Sequence, residues 1–359
     1  MRKICICLAA ALLAAGCAQN GKKAVTPSEQ WTPKQAQAWY AAQGWRSGCD
    51  YIPANAINQI EMWSEETFDA ARIDKELGWA EELGFKTLRV YLSSVVWNHD
   101  AEGFKGRMDS FLAICEEHGI RPLFVFFDDC WNEESSYGPQ PAPKPGIHNS
   151  GWVQDPSVSL RADTTALFPN LEAYVKDIVG HFRGDERILL WDVYNEPGNS
   201  GHKLSSMPLL KNAFRWAREA GNTQPLTAGV WSKDLPEYNA VQLALSDIIS
   251  YHCYSDGAAQ QAAIDTLRRF ERPIVCTEYM ARTGNSTFQN CLPVLKAQDV
   301  IAINWGFVAG KTNTIFAWST PMPDVAEPPL WFHDILRQDG TPYSEAEVAC
   351  IKQVNGIRE

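Results

Sequence analysis

No run of like charge breaks this sequence. Its 32 basic and 43 acidic side chains are dispersed, for a formal net charge of −11. That excludes nucleic acid as the expected partner, because phosphates call for clustered Lys and Arg, and it disfavours a strongly anionic polymer as substrate. No Cys-x-x-Cys pair or Cys/His cluster has zinc spacing, so no metal is signalled. No glycine-rich loop follows the first predicted strand, which argues against a dinucleotide-binding sheet. Beyond the N-terminus no apolar run approaches the ~20 residues a membrane span needs. No Pro/Gly-rich linker or low-complexity stretch divides the 359 residues, a length that α/β barrels use as one domain.

At the N-terminus, Arg2 and Lys3 precede the apolar run "ICICLAAALLAA", which is too short to span a bilayer and reads as an export signal. Gly16 and Cys17 follow, and the segment resembles a bacterial lipoprotein signal with Cys17 as the lipidated residue. Leucine stands four rather than three residues before the cysteine, so ordinary secretion is the runner-up. The expected organisation is a signal over 1–17, a polar tether over 18–35 and one catalytic domain over 36–359. The resulting expectation is a monomer held at the cell envelope only by its lipid. Seven of the ten cysteines lie beyond Cys17. An odd number leaves at least one unpaired, and Cys253 and Cys276, inside predicted strands, read as small apolar fillers.

The rest of the chain alternates apolar strands with amphipathic helices. Predicted strands are "GCDYI" near 48, "TLRVYL" 87–92, "RPLFVFF" 121–127, "ILLWDVY" 188–194, "PLTAGVW" 225–231, "IISYHCY" 248–254, "PIVCTEY" 273–279 and "VIAINWGFV" 300–308. They are continuous apolar runs, as expected for parallel strands covered on both faces. Predicted helices lie between them, two ending at Gly84 and Gly119, and "PLWFHDILRQDG" reads as a closing helix. Eight such units predict a single-domain α/β fold, a closed (β/α)8 barrel. The long segment 128–168 after the third strand is expected to be a functional loop.

"ILLWDVYNEPGN" carries Glu196 to the end of the fourth strand, where Pro197 and Gly198 stop it. "RPIVCTEYMAR" does the same with Glu278 at the end of the seventh. One such glutamate is ordinarily a strand-end carboxylate bonded to loop backbone. Two of them face one barrel mouth, where the sites of this fold are built. A pair of carboxyl groups facing one cavity suits glycosidic cleavage. One group is protonated to help the leaving oxygen depart, and the other is ionised to attack the anomeric carbon or activate water.

The two segments "WDVYNEP" and "CTEY" together resemble those of clan A glycoside hydrolases, a group of retaining β-glycosidases that includes family 5 cellulases and mannanases. The likeness covers about residues 45 to 345. It implies Glu196 as acid/base and Glu278 as nucleophile, with no cofactor. It also implies that Asn195 bonds the sugar 2-hydroxyl, that Arg89 is held near Glu278, and that His252 and Tyr254 stand beside the two acids. Trp305 would floor the subsite nearest the cleaved bond. Asp128 and Trp131, at the end of the third strand, are further substrate-binding candidates. Asp50 and Trp97, also near strand ends, read as equally compatible with structural roles, and His148 is a candidate from the long loop. A retaining enzyme requires the carboxyl groups roughly 5–5.5 Å apart, against about 6.5–9.5 Å for an inverting one. Glu196 is expected to sit where its pKa is raised.

The expected partner is a β-linked glycan or oligosaccharide, with β-mannan, xylan and β-glucan as an unordered set. Alternatives are a catalytically inactive carbohydrate-binding lipoprotein and a transglycosylase. If loop 128–168 blocks one end of the cleft, exo action follows.

Overall fold

A computed structural model describes residues 25–357; the signal and Cys17 lie outside them. The chain opens with α1 (Pro33–Gln43), β1 (Ser47–Asp50), α2 (Gln59–Trp63) and α3 (Ala70–Glu82). Next come β2 (Thr87–Tyr91), α4 (Ser94–His99), α5 (Ala101–Glu117), β3 (Leu123–Asp128) and α6 (Thr164–His181). Then follow β4 (Trp191–Asn195), α7 (Met207–Glu219), β5 (Leu226–Thr227), α8 (Pro236–Leu245) and β6 (Ile249–His252). α9 (Gly257–Leu267), β7 (Ile274–Glu278), α10 (Phe288–Ala297), β8 (Ile301–Trp305) and α11 (Glu345–Asn355) complete it.

The eight strands are parallel, in the order β5-β4-β3-β2-β1-β8-β7-β6. A parallel bridge between Val230 and Tyr251 joins the β5 segment to β6 and closes the (β/α)8 barrel. The strands are buried on both faces, which is why they read as continuous apolar runs rather than alternating ones. Helix ends follow local chemistry. Asp69 and Asp100 accept hydrogen bonds from first-turn amides of α3 and α5, and Gly84 and Gly119 turn the chain out of them at positive φ.

The N-terminal ends of the strands are plugged. Leu123, Leu190, Ile248, Val275, Ile301 and Ile303 form an apolar floor against Ala36 of α1, with Trp31, Trp39 and Tyr40 packed on it. Of the segment expected as a tether, residues 28–31 already hydrogen-bond to the barrel, Trp31 through its amide to Asp247 at 2.7 Å. One face is thus sealed, and solvent reaches the barrel axis from the C-terminal ends.

The closing helix is misplaced in the sequence reading. Residues 329–340 are an extended, looped segment, and the last helix is α11. Trp331, Phe332, Ile335 and Leu336 are buried as the apolar spacing implies. Their backbone, however, bonds to residues 307–315, with Phe332 N donating to Ile315 O at 2.7 Å and Ile335 N to Phe307 O at 2.9 Å. Arg282, donating to the carbonyls of Trp331 and Asp334, holds this form. A helical pattern is overridden by long-range partners that no local spacing reveals. The seven described cysteines are all free thiols, and among the described residues no helix is long and apolar enough to cross a membrane.

Candidate active site

A cavity of about 750 Å³ opens at the C-terminal ends of the strands, within the range of small-ligand sites. Glu196, just past β4, and Glu278, the last residue of β7, both line it, with Asn195, His252, Tyr254, Trp305 and Trp131. Seven residues singled out in the sequence therefore meet in one wall, drawn from five strand ends.

Glu278 is clamped from behind. Arg89 Nη1 donates to its Oε1 at 2.7 Å, and the Tyr91 hydroxyl lies 3.3 Å from the same oxygen. The Tyr254 hydroxyl donates to Oε2 at 2.7 Å. Burial pushes both phenols well above their usual pKa, so both remain donors. Arg89 has no solvent exposure. Its guanidinium also reaches Asp50 at 2.9 Å, Asp192 at 2.9 Å and Asn195 Oδ1 at 2.8 Å. Burial raises Asp50 and Asp192 against the lowering charge of Arg89. One cation thus serves three carboxyl groups and fixes an amide as well.

Asn195 is held from both sides. Its Oδ1 accepts from Arg89, and its Nδ2 donates to Asp128 Oδ1 at 2.9 Å, which orients the amide without ambiguity. Burial raises Asp128 to about 7 against hydrogen bonds from Asn195, Trp152 and the Cys130 amide. Arg89 and Asp128 stand behind the wall, touching the lining rather than the cavity. Arg89 thus stands beside Glu278 as the resemblance implied, whereas Asp128, a substrate-binding candidate in the sequence, supports Asn195 instead of lining the cavity. Although it ends β3, Asp128 is 1% exposed, covered by its bonds to Asn195 and Trp152.

Glu196 is held differently. It adopts φ +43, a left-handed conformation that costs a non-glycine residue about 1–3 kcal/mol. The turn beyond it is pinned by the buried Asp129, whose Oδ2 accepts from the Gly198 amide at 2.7 Å and the Ser206 hydroxyl at 2.6 Å. The Glu196 carboxylate meets His252 Nδ1 at 2.7 Å through Oε1. Oε2 receives Asn199 Nδ2 at 2.5 Å and lies 3.4 Å from the Cys130 thiol. Burial, the largest single influence, pushes Glu196 upward. The hydrogen bond and charge of His252, with Asn199 and Cys130, more than offset it, so its pKa is lowered. That reverses the sequence expectation of a raised value, because three donors converge on a carboxylate that sequence shows without neighbours.

His252 Nδ1 lies 3.4 Å from Glu278 Oε2 as well, so one ring nitrogen bridges the two carboxylates. Ligand atoms of Glu196, His252 and Glu278 all lie within 4.8 Å of one another. These three have the donor types of a metal site. Yet Arg89 and Tyr254 already occupy the two oxygens of Glu278, and Asn199 and His252 those of Glu196. The four carboxylate oxygens are thus engaged within the protein, while His252 Nε2 is buried without a partner among the described residues.

Trp305 packs edge-on against Tyr91 and Trp152 and lines the cavity. Trp131, at φ +72, packs against His148, which also lines the site. Trp97 does not take part; it sits in α4 and donates to Asp177 at 2.8 Å. The sequence reading missed Tyr91, Asp192, Cys130, Asn199, Trp231 and Trp318. Tyr91 and Asp192 lie within apolar strand runs and carry no separate signal. Asn199, three residues past Glu196, was findable as a polar residue in the same turn.

No protein-family model matches the sequence, and no curated protein does. Solved structures share the fold. An exo-β-1,4-mannosidase from Opitutaceae bacterium strain TAV5 superposes with TM-score 0.61 at 16% identity, over 88% of this chain and 61% of that one. A GH5_18 enzyme from Streptomyces cattleya in complex with Manβ1-4GlcNAc gives 0.60 at 13%, over 88% and 80%. The endo-1,4-β-mannanase from Rhizomucor miehei gives 0.57 at 13%, over 87% and 94%.

Proposed function

We propose that this protein is a retaining β-glycosidase in which Glu278 is the nucleophile and Glu196 the acid/base. The observation that carries the reading is the single His252 nitrogen within 2.7 Å of one carboxylate and 3.4 Å of the other. Oxygens of the two glutamates lie within 4.8 Å. This supports the roughly 5–5.5 Å separation of direct attack over the about 6.5–9.5 Å that leaves room for water.

A sugar seated against Trp305 presents its anomeric carbon to Glu278, whose position Arg89 and the two tyrosines fix. Asn195 Nδ2, oriented by Asp128, is available to its 2-hydroxyl. The glycosidic oxygen approaches Glu196 Oε2, where Asn199 and Cys130 stand in the empty site. Displacing those donors removes two of the lowering influences, leaving burial opposed by His252 alone, so the pKa of Glu196 moves upward as the leaving oxygen arrives. Departure of that group leaves an ester on Glu278 and an ionised Glu196, which then takes a proton from the attacking water.

The three similar structures are an exo-β-1,4-mannosidase, an endo-1,4-β-mannanase and an enzyme in complex with Manβ1-4GlcNAc, which makes a β-mannoside the first sugar to try. The N-terminal sequence supports export and attachment through Cys17. The reading is tested with mature protein on 4-nitrophenyl β-mannoside, β-glucoside and β-xyloside, beside Glu278→Ala. Turnover of one sugar that vanishes in the variant is expected, and EDTA should leave the rate unchanged. Silence across the panel, or a rate abolished by EDTA and restored by a divalent metal, would overturn it.

A further inference from the structure

The cavity is closed on the side where the glycone of the proposed reaction would extend. The β3 loop, residues 129–163, crosses over β2 and β1 and is stitched to the β8 loop, residues 306–336. Asn149 N donates to Thr312 O at 2.7 Å and Met322 N to Gly146 O at 3.0 Å. His148 Nδ1 meets Phe316 O at 2.7 Å, and Asn313 Nδ2 donates to Lys144 O at 2.9 Å. The β1 loop fills the angle between them. Asn58 Nδ2 donates to Gly151 O at 2.8 Å, and Lys311 N to Ala54 O at 3.0 Å.

The β8 loop touches each of the other two at backbone level, and the β3 and β1 loops meet through the Ile57 side chain. A Cβ on Gly146 would stand 2.0 Å from Met322 O, one on Gly151 2.3 Å from Ile57 Cδ1, and one on Gly310 2.3 Å from Ala54 O. No groove wide enough for a sugar chain passes between surfaces that exclude a methyl group. Inside this strap, Trp131, His148, Trp318 and Tyr254 make a continuous aromatic wall, with ring centroids 5.1, 6.4 and 4.7 Å apart in turn.

The opposite side opens through residues that keep contact with solvent. There the lining is Asn199, Ser200 and Trp231, which are partly or fully exposed. This is also the Glu196 side, past which the leaving group departs, whereas the glycone lies over Glu278 against the wall.

Resting on the glycosidase reading, we infer that the enzyme acts only on chain ends: the terminal non-reducing sugar enters as a single residue, and the remaining chain lies outward over Trp231. One sugar is released per hydrolytic event, the glycosidic oxygen leaving with the shortened chain and water supplying the new anomeric hydroxyl.

The test follows products from reducing-end-labelled tri- to hexasaccharides of the sugar selected by the aryl panel, and the viscosity of the matching polymer, with Glu278→Ala as control. Expected are a monosaccharide as the first product, a labelled ladder that loses one sugar at a time, and unchanged viscosity as reducing ends accumulate. Early internal cleavage with falling viscosity, absent from Glu278→Ala, would overturn chain-end action and leave the glycosidase standing. No cleavage of either aryl glycosides or oligosaccharides by the wild-type protein would remove both.

Discussion

Glu196 and Glu278 end two strands of one barrel, yet their surroundings are built on opposite plans. Glu278 continues an extended strand and is met by a guanidinium with no exposure and by two phenols that burial keeps protonated. Glu196 occupies a left-handed turn, and its donors are an amide, a thiol and an imidazole. Its side chain is 13% exposed against 5% for Glu278. A group that must attack from one position gains from a rigid cationic backing. A group that must give up and regain a proton gains from donors that an incoming oxygen displaces.

The contrast can be broken from either end. Glu278→Ala has the largest expected effect, a loss of about 10,000-fold or more in kcat on every substrate, because it removes the proposed nucleophile. Glu196→Ala should cost about 100- to 10,000-fold on oligosaccharides. Its cost on a 2,4-dinitrophenyl glycoside, whose leaving group needs no proton, should be far smaller. Equal losses on both substrates would remove Glu196 from the acid role.

Arg89→Met strikes the rigid side. It leaves Asp50, Asp192 and Glu278 buried around an apolar stem, and the expected cost is about 3–5 kcal/mol of stability, read as a lowered Tm. kcat should fall in the fraction that stays folded. An unchanged Tm would show that the network is not structural. Asn199→Ala sharpens the soft side. It removes one donor that lowers Glu196, so the basic limb of the kcat/KM profile should move to higher pH. A shift to lower pH would contradict the sign assigned to that contact.

The barrel and its two acids were legible because both depend on what sequence displays well: apolar strands covered on two faces, and polar residues that interrupt them. Asn195, His252, Tyr254 and Trp305 were named only through the resemblance to clan A, and all four line the cavity. What sequence hides is contact across loops. Asp192 lies inside "LLWDVY" and looks like any strand residue, although it is one of the carboxyl groups Arg89 holds. Trp318 lies on a loop far from any strand end and is packed at the site against Phe332, Tyr254, His148 and His333. The lowered pKa of Glu196 was invisible for the same reason: His252 comes from another strand and Cys130 from another loop. The segment 329–340 shows the converse error, where helical spacing of apolar residues served burial in an extended chain.

The division of labour between the two glutamates rests on which of them takes the sugar. We would therefore treat the mature protein with 2,4-dinitrophenyl 2-deoxy-2-fluoro-β-mannoside, and with the glucoside and xyloside, and map any adduct by peptide mass spectrometry. The account predicts one fluorosugar bound to Glu278, with activity lost in step with labelling. An adduct on Glu196, or turnover that releases an α-configured sugar without any adduct, would contradict it.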